Sequence, residues 1–181
     1  MGVPRVVIDH YKNPRNKRPL DGATARGSVE SRKPGEELTI YLKVEGGRVA
    51  DASFTNTGDR MEDPGASALT SLVRGMAVGD LEGLTVLDVA KALESPENPG
   101  IAIVAHEALR KALFALQGKP VPPDGRLICH CFHVPEDRIR RYVRGRKLAT
   151  VDDVRTWTRA NSGCRSCRPD IEAIIAQELG K

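Results

Sequence analysis

The chain has 181 residues, of which 40% are hydrophobic and 29% are charged. This length favours one or two small domains, and no apolar run approaches the roughly 18–20 residues of a membrane-spanning helix. The first residues, MGVPRVVIDHYKNPRNKRP, lack the apolar core and the small-residue cleavage site of a signal peptide. We therefore expect a cytoplasmic protein with no membrane partner.

The net charge of +4 is unevenly distributed along the chain. Residues 126–181 hold 12 Lys or Arg against 7 Asp or Glu, whereas the residues before them hold 16 against 17. A basic segment can bind nucleic acid, but this one has a single Trp and two other aromatic residues, which are few for base stacking. We expect no nucleic-acid partner, and we expect the positive charge to offset an anionic metal centre or to face an acidic protein.

Strands followed by helices are predicted for the first two thirds of the chain. Alternating apolar residues around Gly46-Gly47 indicate a β-hairpin, and Thr85-Val-Leu-Asp88 is a capping box. The order of elements predicts an α+β fold with an antiparallel sheet. The predicted elements are a helix over 4–12, a strand within 23–32, strands over 38–44 and 49–57, and helices over 64–73, 85–93 and 101–116.

A linker is predicted over 119–125, because residues 117–125 contain three prolines and two glycines. It separates a first domain, residues 1–118, from a small and mostly helical second domain, residues 126–181. Three helices are predicted in the second domain: from Pro135 to Val143 with Gly145 as its end, from a cap at Thr150 to Trp157, and from Pro169 to Leu179.

All four cysteines lie in the second domain, as Cys129-x-Cys131 and Cys164-x-x-Cys167. In a reducing compartment, closely spaced cysteines bind metals more often than they form disulfides. Four thiolates satisfy either zinc or an iron–sulfur cluster. Zinc sites usually have two to four residues between paired ligands, whereas a single residue, His130, separates the first pair here. The spacing therefore favours a diiron cluster, in which each iron takes two thiolates.

Other interpretations of these residues stay open. A structural zinc site would use the same four cysteines, and a redox-active dithiol at Cys164 and Cys167 would leave the first pair without a role. His130 and His133 are further potential ligands, but four thiolates complete either site, so we expect both to be turn and surface residues. Arg165 and Arg168 flank the second pair and would offset the negative charge of a thiolate-ligated cluster.

Three segments of the second domain resemble a known module. They are LICHCFHVPEDRIR at 127–140, ATVDDV at 149–154 and SGCRSCRPDIE at 162–172. Together they resemble the bacterioferritin-associated-ferredoxin (BFD) type of [2Fe-2S] domain, which is also the central domain of NifU. The resemblance covers essentially the whole domain and implies a [2Fe-2S] cluster as cofactor. The ligands that it implies are Cys129, Cys131, Cys164 and Cys167.

The first domain is similar to IscU/NifU cluster-assembly scaffolds. The similarity rests on VIDHYKNPRN at 7–16, the strand over 38–44, FTNTG at 54–58 and the segment 67–75, which follow the family's order and spacing. The two domains in this order resemble NifU without its C-terminal domain.

The first domain differs from IscU/NifU scaffolds at the positions of the cluster-binding cysteines. IscU-type scaffolds assemble a transient cluster on three cysteines, and this domain has none. By spacing, those positions correspond to Pro34, Asp59 and about Ile101. Proline and isoleucine cannot ligate iron, and Asp59, even with Glu36 and Glu62 nearby, is too hard a donor for a sulfide cluster. We therefore expect the first domain to bind a partner rather than to assemble clusters, and we expect its acidic loop, residues 58–63, to be solvated.

These observations predict a NifU-like iron–sulfur protein with a permanent [2Fe-2S] cluster and an accessory role in cluster assembly. The first alternative is a small electron-transfer protein that uses the first domain as an adaptor, and the second is a zinc-binding interaction module. No enzyme is expected, because the chain shows no catalytic triad, phosphate loop or free nucleophile. The expected partners are a cysteine desulfurase or an acidic redox protein, and a second copy in a homodimer is a further candidate.

Overall fold

The structure is a computed structural model that describes residues 2–30, 35–121 and 125–180. The chain divides into two compact units, Met1–Val121 and Pro122–Lys181. This division falls within the stretch 119–125 that the composition predicts as a linker. In the described residues, no helix has both the length and the apolar character that crossing a membrane requires.

The first unit contains the predicted antiparallel sheet. Its strand order is β1-β2-β3, and β2 and β3 are joined at Gly46-Gly47, whose φ angles of 57° and 75° suit a tight hairpin turn. Ile40 is opposite Phe54 in the register, and both are fully buried. The bounds are Ala25–Glu30 for β1, Glu37–Glu45 for β2 and Arg48–Asn56 for β3.

The described residues of this unit also form five helices. The capping box at Thr85 and Asp88 is present, as predicted. The helix predicted from residue 101 begins at Ile103, because the residues directly before it, Pro99–Ala102, form a 3₁₀ turn. The sequence analysis missed α3, which is too short to show a helical period. The helices are α1 (Arg5–Lys12), α2 (Asp63–Val73), α3 (Val78–Leu81), α4 (Val86–Ala92) and α5 (Ile103–Leu116).

Helix α5 packs against β1 and β2 at very close range. Gly27 of β1 makes this approach possible, since a Cβ there would lie 2.2 Å from the carbonyl oxygen of Ala108 and 2.3 Å from the amide nitrogen of Ala112. Real Cβ atoms do not come so close to backbone atoms, so the distance between strand and helix requires glycine at this position.

The substitution Gly27→Ala is expected to lower the free energy of unfolding of the first unit by about 1–3 kcal/mol, because α5 must move away from the sheet. Calorimetry of the full chain measures this change. Gly79→Ala is the matched control, because nothing lies within 4 Å of a Cβ at Gly79. An equal loss of stability in both variants would contradict the close approach.

The second unit is mostly helical, as predicted, with a two-stranded antiparallel ladder before its helices. The capping box at Thr150 and Asp153 is present. The prediction that Gly145 ends the first helix is wrong. The helix continues through Gly145 to Arg146, and its C-cap residue is Lys147, which adopts a left-handed φ of 55°. The elements are β4 (Leu127–Cys129), β5 (Val134–Pro135), α6 (Glu136–Arg146), α7 (Val151–Thr158) and α8 (Arg168–Leu179).

Ion pairs join α6 to α8 beside the apolar core of this unit. Arg140 contacts Glu136 and Glu178 at 2.6 Å each, and Arg144 also pairs with Glu178. Ile139 of α6 and Ile171 of α8 are fully buried. Because α8 begins directly after Cys167, its packing against α6 also places the second cysteine motif.

Candidate metal centre

The first cysteine motif lies in a tight turn between β4 and β5. Cys129 is the last residue of β4, where it pairs with Val134, and only 2% of its surface is exposed. The 3₁₀ turn His130–Phe132 follows, and His133 ends this turn with a left-handed φ of 48°. His130 is exposed. The two histidines therefore belong to the turn, as expected, while Cys129 points inward and Cys131 is half-buried.

The second motif lies in the turn between α7 and α8. Arg159, Asn161 and Arg165 have φ angles of 66°, 65° and 63°, so three non-glycine residues of this short stretch adopt the left-handed conformation. Cys164 is exposed, whereas Cys167 is 5% exposed and is the N-cap residue of α8. The second motif, like the first, therefore has one buried and one accessible thiol.

The four thiols meet as two pairs, and each pair takes one cysteine from each motif. The Sγ atoms of Cys131 and Cys164 are 3.2 Å apart. Cys129 is close enough to Cys167 to raise the pKa of its thiol. In the described part of the chain, no three His, Cys, Asp or Glu side chains converge as they would around a single metal ion. The thiols are thus arranged as two pairs rather than as one group of four.

Gly163 allows the two turns to approach each other. A Cβ at this position would lie 2.8 Å from the Cβ and 3.1 Å from the Sγ of Cys131. Any side chain there would push Cys131 away from Cys164. The sequence analysis assigned no role to Gly163, although a glycine directly before a ligand is a signal for a close backbone approach.

The thiols of the second motif have different acidities. Hydrogen bonds from the side chain and then the backbone of Ser166 lower the pKa of Cys164 to about 7. Burial, followed by the neighbouring Cys129, raises the pKa of Cys167 to about 11. Metals bind thiolates, so Cys164 is the more readily available ligand at neutral pH.

Three arginines, Arg159, Arg165 and Arg168, lie in or next to the turn that carries the second motif. The guanidinium of Arg159 lies 5.0 Å from the centre of the Phe132 ring. Arg168 pairs with Glu172 at 2.8 Å, whereas Arg165 is exposed and makes no ion pair among the residues that the structure describes. Of the two arginines that the sequence indicated, Arg165 is therefore the one whose charge is not offset by a carboxylate.

The positions that would hold a cluster in a scaffold have structural roles in the first unit. Asp59 accepts a hydrogen bond from the amide of Met61 at 2.9 Å and so caps the 3₁₀ turn Arg60–Glu62. Ile101 places its carbonyl oxygen 2.4 Å from where a Cβ of Gly65 would be. Pro34 lies outside the described residues.

The expectation of a solvated loop over 58–63 is wrong for two of its three acids. Glu62 is 5% exposed and Asp63 is completely buried. Asp63 accepts hydrogen bonds from Lys17 and Asn56, both at 2.8 Å. This contact with a lysine distant in sequence satisfies the carboxylate away from water, and local sequence patterns could not show it.

The NifU-like N terminal domain family matches residues 4–122, and the family of BFD-like [2Fe-2S] binding domains matches residues 127–177. The chain belongs to the NifU-like family. Its second unit is a [2Fe-2S] binding domain, and the paired thiols lie within the matched segment. This agrees with the cofactor that the resemblance implies.

The relatives extend this match over both units. The chain is 32% identical over 180 residues to the nitrogen fixation protein NifU of Azotobacter chroococcum, a match that covers 96% of this chain and 58% of that protein. It is 30% identical over 109 residues to the scaffold protein IscU 1 of Archaeoglobus fulgidus, covering 59% and 71%. The chain thus spans about three fifths of the length of the NifU protein that it matches.

A solved structure supports the fold of the first unit. The N-terminal NifU-like protein of Brucella abortus matches with a TM-score of 0.51 and 17% identity, over 64% of this chain and 94% of that one. This likeness concerns the α+β fold alone.

The substitution Gly163→Ala is expected to reduce the iron content of the purified protein to roughly half or less, because the new methyl group displaces Cys131. Iron and sulfide analysis of the full chain measures this. Gly145→Ala is the control: it lies on α6 with nothing within 4 Å of its Cβ, and it should retain full iron content. Full loading of the Gly163→Ala protein would show that the two turns need not be so close.

Proposed function

We propose that this NifU-like protein holds a permanent [2Fe-2S] cluster on Cys129, Cys131, Cys164 and Cys167 and serves as an accessory in iron–sulfur cluster assembly. The observation that carries the proposal is the meeting of two cysteine motifs as two thiol pairs in a [2Fe-2S] binding domain. The first unit, whose scaffold positions lack cysteine, contributes binding rather than cluster chemistry.

The geometry of the thiols favours a retained cluster. Four protein thiolates complete the coordination of two irons, so no position is left open for transfer to another protein. Cys129 and Cys167 are almost completely buried, which limits access of chelators to half of the ligands. A transient cluster on a scaffold would need a more open site.

The zinc alternative fits the thiols less well. Four sulfurs at about 2.3 Å from one zinc ion form a tetrahedron in which each is equally close to the other three. Here the thiols form two separate pairs, and no three of them converge in the described residues. This arrangement supports a dinuclear centre over a single ion.

Electron transfer is the second candidate function, and the exposure of Cys164 favours it. A bound [2Fe-2S] cluster supplies one-electron chemistry. An accessible ligand beside the exposed Arg165 would let an acidic redox partner approach the cluster closely. Both functions hold together if the cluster supplies electrons to an assembly reaction.

The first unit is proposed to dock a partner, either a cysteine desulfurase or a second copy of this chain. Its hydrophobic core and its buried Asp63 network are intact although no cysteine is present. A fold retained without its metal ligands is consistent with a binding role. We propose no catalytic activity for either unit.

Anaerobically purified protein is expected to be red-brown, with about two irons and two sulfides per chain. The substitutions Cys131→Ala and Cys164→Ala should each remove the colour, since each takes one of the two thiolates from an iron. Ser162→Ala, in the same turn, is the control and should leave the spectrum unchanged. A colourless protein with about one zinc per chain would contradict the proposal.

Incubation of the full chain with a cysteine desulfurase, iron and cysteine is expected to add no cluster beyond the one in the second unit. The combined change Pro34→Cys, Asp59→Cys and Ile101→Cys should add a second, labile cluster, because it supplies three soft ligands. Iron counts before and after brief chelation distinguish the two clusters. A transferable cluster on the unmodified first unit would show that it is still a scaffold.

A further inference from the structure

The two thiol pairs differ in their access to water. Cys129 and Cys167 are 2% and 5% exposed, whereas Cys164 is exposed and Cys131 is half-buried. Because each pair combines one cysteine from each motif, the accessible pair and the buried pair would bind different irons. The two irons of one cluster would therefore have unlike surroundings.

Reduction makes the cluster and its thiolates one unit more negative, and burial opposes additional charge. Water can solvate that charge at Cys131 and Cys164 but not at Cys129 and Cys167. Arg165, the exposed residue directly after Cys164 in the chain, adds a positive charge close in sequence to the accessible pair. Both effects favour placing the added electron on the iron that Cys131 and Cys164 would hold.

One feature of the buried side acts in the opposite direction. Cys167 is the N-cap residue of α8, and a helix N-terminus carries a positive charge of about half an elementary charge. This partial charge is smaller than the full unit of negative charge that reduction would add beside the two buried thiolates. Arg165, next to Cys164 in the chain, carries a full positive charge.

Hydrogen bonds to sulfur raise the reduction potential of iron–sulfur clusters. The backbone of Asn161 stabilises the thiolate of Cys167 and the backbone of Ser166 that of Cys164, so backbone groups act on both pairs. The accessible pair has one additional donor: the Ser166 hydroxyl lies 3.1 Å from the Sγ of Cys164. When Cys164 is a thiolate, this hydroxyl donates to it.

We infer that Cys131 and Cys164 share the iron that accepts the electron, that Cys129 and Cys167 share the other iron, and that Ser166 is a positioning residue for the reduced state. This inference rests on the proposed function, since it requires the [2Fe-2S] cluster. The step transfers one electron from a one-electron donor to one ferric ion, which becomes ferrous. The donor is oxidised by one electron, and no bond forms or breaks.

Proton NMR of the dithionite-reduced, cluster-loaded full chain identifies the iron that is reduced. The β-protons of cysteines on the ferric iron shift far downfield and move upfield on warming, whereas those on the ferrous iron shift less and move in the opposite direction. We expect the ferrous pattern for Cys131 and Cys164. The signals of Cys131 are assigned through the protons of the adjacent Gly163.

Redox titration followed by electron paramagnetic resonance tests Ser166. The substitution Ser166→Ala should lower the equilibrium constant for reduction about tenfold, equivalent to about 59 mV for one electron. Ser166→Thr keeps the hydroxyl and should restore the constant to within about twofold of the unmodified protein. Ser162→Ala makes the same change in the same turn, and should also alter the constant less than about twofold.

The possible results separate this inference from the proposed function. A ferrous pattern on Cys129 and Cys167, or pairing of Cys129 with Cys131 on one iron, would overturn the assignment of the irons. An unchanged potential in Ser166→Ala would overturn the role of Ser166. If that variant loses its cluster, the NMR spectrum of the unmodified protein still decides which pair takes the electron. Absence of iron and sulfide from the unmodified protein would instead refute the proposed function.

Discussion

The second unit depends on holding two short turns together, although Cys131 and Cys164 are 33 positions apart in the chain. One turn is held by the β4–β5 ladder and the other by the start of α8, and Gly163 leaves the space that Cys131 fills. A domain of this size buries little apolar surface, so binding of a metal centre would add to its folding free energy. The approach of the two turns to each other and the stability of the second unit are thus linked.

Burial divides the site into a protected half and an accessible half. In the proposed function, the protected thiols Cys129 and Cys167 would limit the loss of iron, and the accessible ones would allow a redox partner to approach. A centre that must be retained and must also exchange electrons needs both properties. Burial also raises the pKa of Cys167 to about 11, whereas hydrogen bonds from Ser166 lower the pKa of Cys164 to about 7.

The first unit shows how a scaffold fold persists when its cysteines are absent. Its core is formed by the sheet and the helices that cover it, and it includes the buried side chains of Ile40, Phe54 and Leu109. Asp59 caps a turn, and the buried Asp63 is satisfied by Lys17 and Asn56. The packing that defines the fold therefore does not depend on cysteine side chains in this unit.

The sequence by itself determined the α+β class, most of the helices and strands, and the four cysteines as the candidate ligands. These properties depend on local signals: alternation around Gly46-Gly47, capping boxes at Thr85 and Thr150, and the spacing of the thiols. Only the tertiary structure decided how the thiols pair, which of them are buried, and that Ser166 contacts Cys164. It also decided that Asp63 is buried, because its partner Lys17 lies 46 positions away. Pairing and burial arise from contacts between distant segments, and a local pattern carries no information about which segments meet.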